Sequence, residues 1–244
     1  MFERLKKLFS SDIDASVAES SQKTKAVPPG LWASEQGLKL HSRFAMWDGK
    51  GTAPRFWLDG QTQGKSWRLE CGAPSRDFIE GEELRFRGDL GVLDPVAVVL
   101  MNRPLKDALE KRAFQLYTDS LQTALDSNLP EEMRWLAIYQ EAGWASLSDA
   151  FWDRYAVLAA KREHAQTWIT QALAGALMAW PSSGPSMDQP FTLLLLHGKC
   201  YLRMEYTDND LPTLDHATRI FRLACEAALN GVAQNTRGEP RDGA

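Results

Sequence analysis

Apolar positions change their period twice along the chain. Phe2, Leu5, Leu8 and Phe9 recur at helical spacing with Arg4, Lys6 and Lys7 between them. Residues 10–25 are polar and serine-rich with nothing to bury, and Pro28-Pro29-Gly30 closes the segment. The pattern predicts a short amphipathic helix on a flexible tether over residues 1–30. Nine residues are below the ~12–15 at which an isolated helix holds itself. Order in that helix has to come from what it touches, a partner protein or a membrane surface.

From residue 31 to 103 the period is two. Gly37–Trp47 alternates loosely and ends at Asp48-Gly49, and Arg55–Leu58 ends at a second turn signal, Asp59-Gly60. In Ser66–Cys71, Trp67, Leu69 and Cys71 take one face and Arg68 and Glu70 the other. In Glu83–Arg87, Leu84 and Phe86 oppose Arg85 and Arg87. Such alternation predicts antiparallel strands covered on one face. Val96–Met101 is uniformly apolar and reads as a central strand buried on both sides. Five strands in this stretch predict a small antiparallel sheet or partly open barrel.

Residues 104–232 read as helix. Pro104 starts a segment with Leu105, Leu109 and Leu116 on one stripe and Phe114, Tyr117, Leu121 and Leu125 beside it, stopping near Ser127-Asn128. Pro130 with Glu131 and Glu132 opens a helix that ends at Gly143. Ser146 and Asp149 form a capping-box spacing ahead of Phe151, Tyr155 and Leu158. His164–Trp180 follows, then a segment from Asp188 through Leu193–Leu196 to Met204, where helix is favoured over strand by length. The last helix follows Asp210, faces Leu214, Ala217, Phe221, Ala224 and Ala228 inward, and stops at Asn230-Gly231. Residues 233–244 read as a loose polar tail. The helices opening at His164-Ala165 and His216-Ala217 share five of fourteen residues, an echo that Ala-rich amphipathic helices also produce by chance. The expected class is α+β: a β-rich part over 31–103 followed by an α-helical part over 104–232.

Charge narrows the partners. The chain of 244 residues has a formal net charge of −4, and its acidity is concentrated in the second half. Residues 1–30 are net +1, residues 31–103 neutral and residues 104–244 net −5. This leaves no whole-chain electrostatic footprint for nucleic acid. Three cysteines, Cys71, Cys200 and Cys225, are too few and too odd in number for a disulfide framework, so a reducing, cytoplasmic setting is expected.

Chemical motifs come close and miss. Gly60–Ser66 has three residues between its glycines where a phosphate-binding loop needs four, and it leads into a strand, so a hairpin turn is expected. Cys71 and Arg76 have four residues between them where a cysteine phosphatase loop has five, and Glu70 beside the thiol would raise its pKa. His197 and Cys200 would share a helical face but fit no common zinc spacing, with His216 and Cys225 downstream. Of the nine tryptophans, Trp32, Trp47, Trp57 and Trp67 fall in the β part and are expected in its core. Trp135, Trp144, Trp152, Trp168 and Trp180 are spread over the expected helices, where they read as packing anchors or interface hot spots.

No convergent catalytic set emerges, and neither a cofactor nor a metal is expected. The expected function is therefore a non-catalytic, protein-binding adaptor or accessory subunit. Its contact residues would be Phe2, Leu5, Leu8 and Phe9, with a weak peripheral membrane contact as the other use of that helix. The rival reading is a hydrolase-like enzyme whose dispersed residues, Cys71 with Arg76 or His197 with Cys200, would line one pocket.

Overall fold

The computed structural model describes residues 29–42, 55–92, 96–119 and 130–232. The expected N-terminal helix and its tether up to residue 28, the turn expected at Asp48-Gly49, the helix stop expected near Ser127-Asn128 and the tail expected over 233–244 lie outside the described residues.

Among the described residues nine strands form one antiparallel sheet: β1 (Lys39–Ser42), β2 (Phe56–Thr62), β3 (Lys65–Gly72), β4 (Glu82–Asp89), β5 (Ala97–Asn102), β6 (Gln140–Glu141), β7 (Tyr155–Ala159), β8 (Phe191–Leu196) and β9 (Lys199–Tyr206). Their spatial order is β1-β2-β3-β4-β9-β8-β5-β7-β6. The helices are α1 (Pro29–Glu35), α2 (Arg103–Asp119), α3 (Glu131–Ile138), α4 (Asp149–Arg154), α5 (Arg162–Trp168), α6 (Gln171–Met178) and α7 (Leu211–Ala227), with a π turn over Ala228–Val232. The class is α+β. The sheet is larger than the five strands expected, because four of its strands come from beyond residue 104.

Those four strands are the main correction. Leu193–Leu196 and the residues up to Met204 form the β8–β9 hairpin, not a helix. All of β8 is buried, since β5 and β9 flank its edges and a packed core covers each of its faces, and a short apolar run gives no periodicity to tell strand from helix. His197 and Gly198 both have positive φ, 49° and 73°, the geometry of the tight turn that matches the strand twist. After the turn the alternation is explicit: Cys200, Leu202 and Met204 are buried, and Tyr201, Arg203 and Glu205 face the other way. The helix before Tyr155 ends at Arg154, so Tyr155–Ala159 is β7, and the α3 helix ends at Ile138 ahead of β6. Ser148, not Ser146, caps α4, its hydroxyl accepting from the Phe151 amide at 3.3 Å. The echo between His164 and His216 is not a repeated unit: the first copy breaks at Ile169-Thr170 between α5 and α6, whereas α7 is continuous.

The expected turn at Asp59-Gly60 is a strand interior, inside β2, and the chain turns at Gln63-Gly64, both at positive φ. Gly60 serves packing. It sits opposite Trp67 across the ladder, and a Cβ there would run into the indole ring. Gly88 flanks Trp67 on β4, where a Cβ would come within 3.2 Å of the Trp67 Cβ. The indole is thus seated between two glycines, donates from Nε1 to Thr62 Oγ1 at 3.0 Å, and meets Phe221 of α7 edge-on at 5.8 Å.

Alternate strand residues point to opposite faces, and the two faces are covered differently. On one face, α1, α5, α6 and α7 pack over the sheet in a continuous core that includes Trp67, Leu69, Phe86, Leu100, Leu202, Trp168 and Phe221. Asp210 caps α7 by accepting from the Thr213 amide at 3.1 Å, and the inward residues expected for this helix are buried. On the other face, α2 and α3 bring Leu105, Leu109 and Trp135 onto Val99, Met101, Leu158, Leu194 and Leu196. Among the described residues that cover reaches β8 and stops, leaving the same face of β2, β3, β4 and β9 to polar side chains. No helix among the described residues is long and apolar enough to cross a membrane.

Replacing Gly60 by Ala is expected to cost about 1–3 kcal/mol through overpacking against Trp67. Gly143→Ala, where a Cβ meets nothing within 4 Å, is expected to be near neutral. Urea midpoints of the two variants check the contrast, and equal midpoints would show that the Gly60–Trp67 fit is not limiting.

Candidate functional site

The uncovered face is built from cross-strand rows. One row runs Asp59, Arg68, Arg87, Tyr201 and ends on Leu194; the next runs Trp57, Glu70, Arg85, Arg203 and ends on Thr192. Two of the cross-strand neighbours are like-charged, Arg68 with Arg87 and Arg85 with Arg203. Such pairs are destabilising on their own, so the other charges on the face decide what they cost.

Glu83 supplies the largest compensation. It is fully buried beneath the arginines, accepting from the Ser75 amide at 2.6 Å and from Arg203 at 2.8 Å, with Arg85 at 3.6 Å. Arg203 also donates to Ser75 Oγ at 2.6 Å, and Arg85 to the Ala73 carbonyl at 3.2 Å. Arg85 further pairs with Glu70 at 3.5 Å. These bonds fold the β3–β4 connection back over the end of the face. The same connection places Phe78 against the α2–α3 core and joins Arg76 to Glu131 and Glu132 of α3.

Farther out, Asp59 binds Arg68 through two bonds of 2.7 and 3.2 Å and pairs with His41 at 3.3 Å. His41 stacks on Trp57 at 5.1 Å with nearly parallel rings, and Arg68 lies 5.9 Å over the same indole. Arg87 differs from the other three arginines. It is exposed, rests over the Tyr201 ring at 6.0 Å, and has no carboxylate partner among the described residues. These side chains floor an open cleft of about 540 Å³ whose lining includes Asp59, Arg68, Glu70, Arg85, Arg87, Asp89, Tyr201 and Arg203.

The residues singled out for dispersed chemistry do not converge. Cys71 lies in the helix-covered core, whereas Arg76 is tied to α3 on the opposite face. The guanidinium nearest Cys71 is that of Arg55, 3.8 Å from its Sγ, and the thiol points at Glu82 at 3.7 Å. Burial and the Glu82 charge push the Cys71 thiol up to about 12 against the opposing pull of Arg55. This thiol stays protonated and is no nucleophile at neutral pH. Arg55 also binds Asp208 at 2.7 Å and holds that carboxyl below the usual range.

His197 and Cys200 are not on a helix: His197 is exposed in the hairpin turn, and Cys200 is buried in the core. Burial and contact with Cys225 raise the Cys200 thiol as well. His216 is occupied in packing, with Nε2 2.8 Å from the Ala176 carbonyl and its ring against Trp180. No three His, Cys, Asp or Glu side chains among the described residues gather as metal ligands. Phe2, Leu5, Leu8 and Phe9 lie outside the described residues.

Trp32 and Trp67 are in the core as expected, and Trp47 lies outside the described residues. Trp57 corrects the reading of the β-part tryptophans: it stands on the polar face, half-buried. Phe56-Trp57-Leu58 lacks the alternation that would have revealed this. The outward direction of Arg68, Arg85 and Arg87 was legible, but Tyr201 and Arg203 were hidden by the helical reading of 188–204.

Two outcomes test this layout. Glu83→Ala leaves two arginines facing each other over a buried gap and is expected to cost about 3–5 kcal/mol in urea unfolding; a cost near zero would show that the cluster does not hold the face. The thiols are expected to react with Ellman's reagent at neutral pH only as the protein unfolds. Because the folded pKa of Cys71 is the higher one, its contribution to stability is complete below the ordinary thiol pKa of 9.0 and declines as the pH climbs from there toward about 12. The alkaline decline is expected to be shallower in Cys71→Ala, and rapid labelling of the native protein would refute the assignment.

No protein-family model matches the chain, and no curated protein matches it. Among solved structures, it is similar to the crystal structure of the mycobacterial trehalose monomycolate transport factor A, TtfA, at 11% identity and a TM-score of 0.45, over 83% of this chain and 94% of that one.

Proposed function

We propose that the chain is a non-catalytic, protein-binding adaptor or accessory subunit, and that the uncovered half of the sheet is its contact surface. The observation that carries this reading is the asymmetry of cover. Among the described residues, helices pack one face from end to end and the other only as far as β8, and the remainder is finished with Arg, Tyr and Trp alongside the acids they pair with. Those three residue types are enriched where proteins meet. A face that is polar yet fixed by a buried ion cluster suits a partner that comes and goes, because its side chains are already ordered before contact.

The N-terminal residues Phe2, Leu5, Leu8 and Phe9 belong to the same proposal as a second, tethered contact, to the partner or to a membrane surface. Their amphipathic spacing supports this. A tethered second contact raises avidity without enlarging the main interface. A cytoplasmic setting fits the three reduced, buried cysteines.

The test compares full-length wild type with Arg87→Glu, Leu5→Asp and Lys111→Glu, the last an exposed position on α2, in affinity purification from the source cell with quantitative mass spectrometry. A stoichiometric protein kept by wild type and Lys111→Glu and lost by Arg87→Glu is expected, with unchanged melting temperatures. Leu5→Asp is expected to weaken its recovery. Retention of the same protein by Arg87→Glu would overturn the sheet face as the contact surface.

A further inference from the structure

We propose that the Arg68–Arg87 pair at the centre of the open cleft is a receptor for a side-chain carboxylate on an acidic segment of the partner. This rests on the protein-binding reading above and specifies what that surface recognises.

The two guanidinium groups come from directly opposed positions on β3 and β4, where Cβ atoms stand about 4.5–5.5 Å apart and like charges repel. Arg68 is held by Asp59 on its far side, toward β2, and Arg87 makes no ion pair among the described residues. The rest of the face shows how the protein deals with such a pair when it keeps both members for itself. Beneath Arg85 and Arg203, the neighbouring like-charged pair, it buries Glu83. No carboxylate among the described residues bonds both Arg68 and Arg87. A carboxylate arriving from outside would play the part that Glu83 plays one row away, converting a repulsive pair into a bridged one.

A carboxylate suits the pair, because the planar fork of arginine matches it in a two-bond geometry. Tyr201, already under Arg87, offers an aromatic floor beside the anion. Alternate rows of the sheet are about 6.8 Å apart along the strands, the spacing of side chains i and i+2 in an extended chain. An extended acidic segment laid along β4 therefore sets one side chain over the Arg68–Arg87 row and the next but one over Arg85 and Arg203.

The test uses full-length protein and a fluorescein-labelled hexaglutamate peptide, read by fluorescence anisotropy at low ionic strength. Hexalysine and an oligothymidylate of matched length serve as the other probes. Hexaglutamate is expected to bind with an affinity that falls as salt is added. Arg87→Gln is expected to weaken it about tenfold or more, and Arg87→Lys is expected to recover only part, since an ammonium cannot make the two-bond fork. Arg87→Gln is also expected to melt no lower than wild type, because it removes a repulsion.

Equal hexaglutamate affinity in wild type and Arg87→Gln, or no binding by wild type, would overturn the carboxylate receptor. Tighter binding of the oligothymidylate that is lost in Arg87→Gln would overturn it in favour of nucleic acid. If the carboxylate receptor fails in either of the first two ways while the cellular partner is still lost from Arg87→Glu, the protein-binding reading survives alone. If the partner is also retained, both fail.

Discussion

Residues 82–89 and 199–206 pair over eight positions as β4 and β9, and this ladder joins two sheet segments that the chain builds separately. On one side stand β1 to β4, each paired with the next strand in sequence. On the other stand β5 to β8, whose order is not that of the sequence. Without the β4–β9 register neither segment could share the core under α7, and each would present an open edge. The same register aligns Arg87 with Tyr201 and Arg85 with Arg203. Fold and candidate site therefore depend on one set of backbone bonds.

Sterics and electrostatics each fix one face of this joint. On the helix side, Trp67 fills the space left by Gly60 and Gly88 and receives Phe221 from α7; ring contacts of this kind add to what the buried area alone contributes. On the other side, Glu83 is the only place where a charge is taken fully out of water among the described acidic residues. A buried carboxylate is tolerable only when its oxygens are satisfied, and here a backbone amide and two arginines do so. The β3–β4 connection is held in the process, which explains why a charged cluster persists at a position where an apolar side chain would pack more cheaply.

The outer arginines follow a different logic. Arg68 and Arg87 add nothing to the core, repel each other, and are surrounded by acids that only partly offset them. Arg87, resting over the Tyr201 ring and open to solvent, is the residue on which the proposed recognition by charge rests.

The sequence by itself determined the local part of this protein. Period-two alternation placed β3 and β4 with the correct residues inward, uniform hydrophobicity marked β5 as central, and the Asp210 cap with its apolar stripe located α7. These patterns are written by burial of neighbours within a few positions. Tertiary structure decided the rest. Leu193–Leu196 has no period because both its faces are buried, so only the partners β5 and β9 make it a strand. Gly60 looks like a turn and is a socket for Trp67, a fact that resides in the opposite strand. The candidate site assembles Arg68 and Arg87 with Tyr201 and Arg203 across more than a hundred residues, and a single sequence contains no local signal for a neighbour that only long-range pairing supplies.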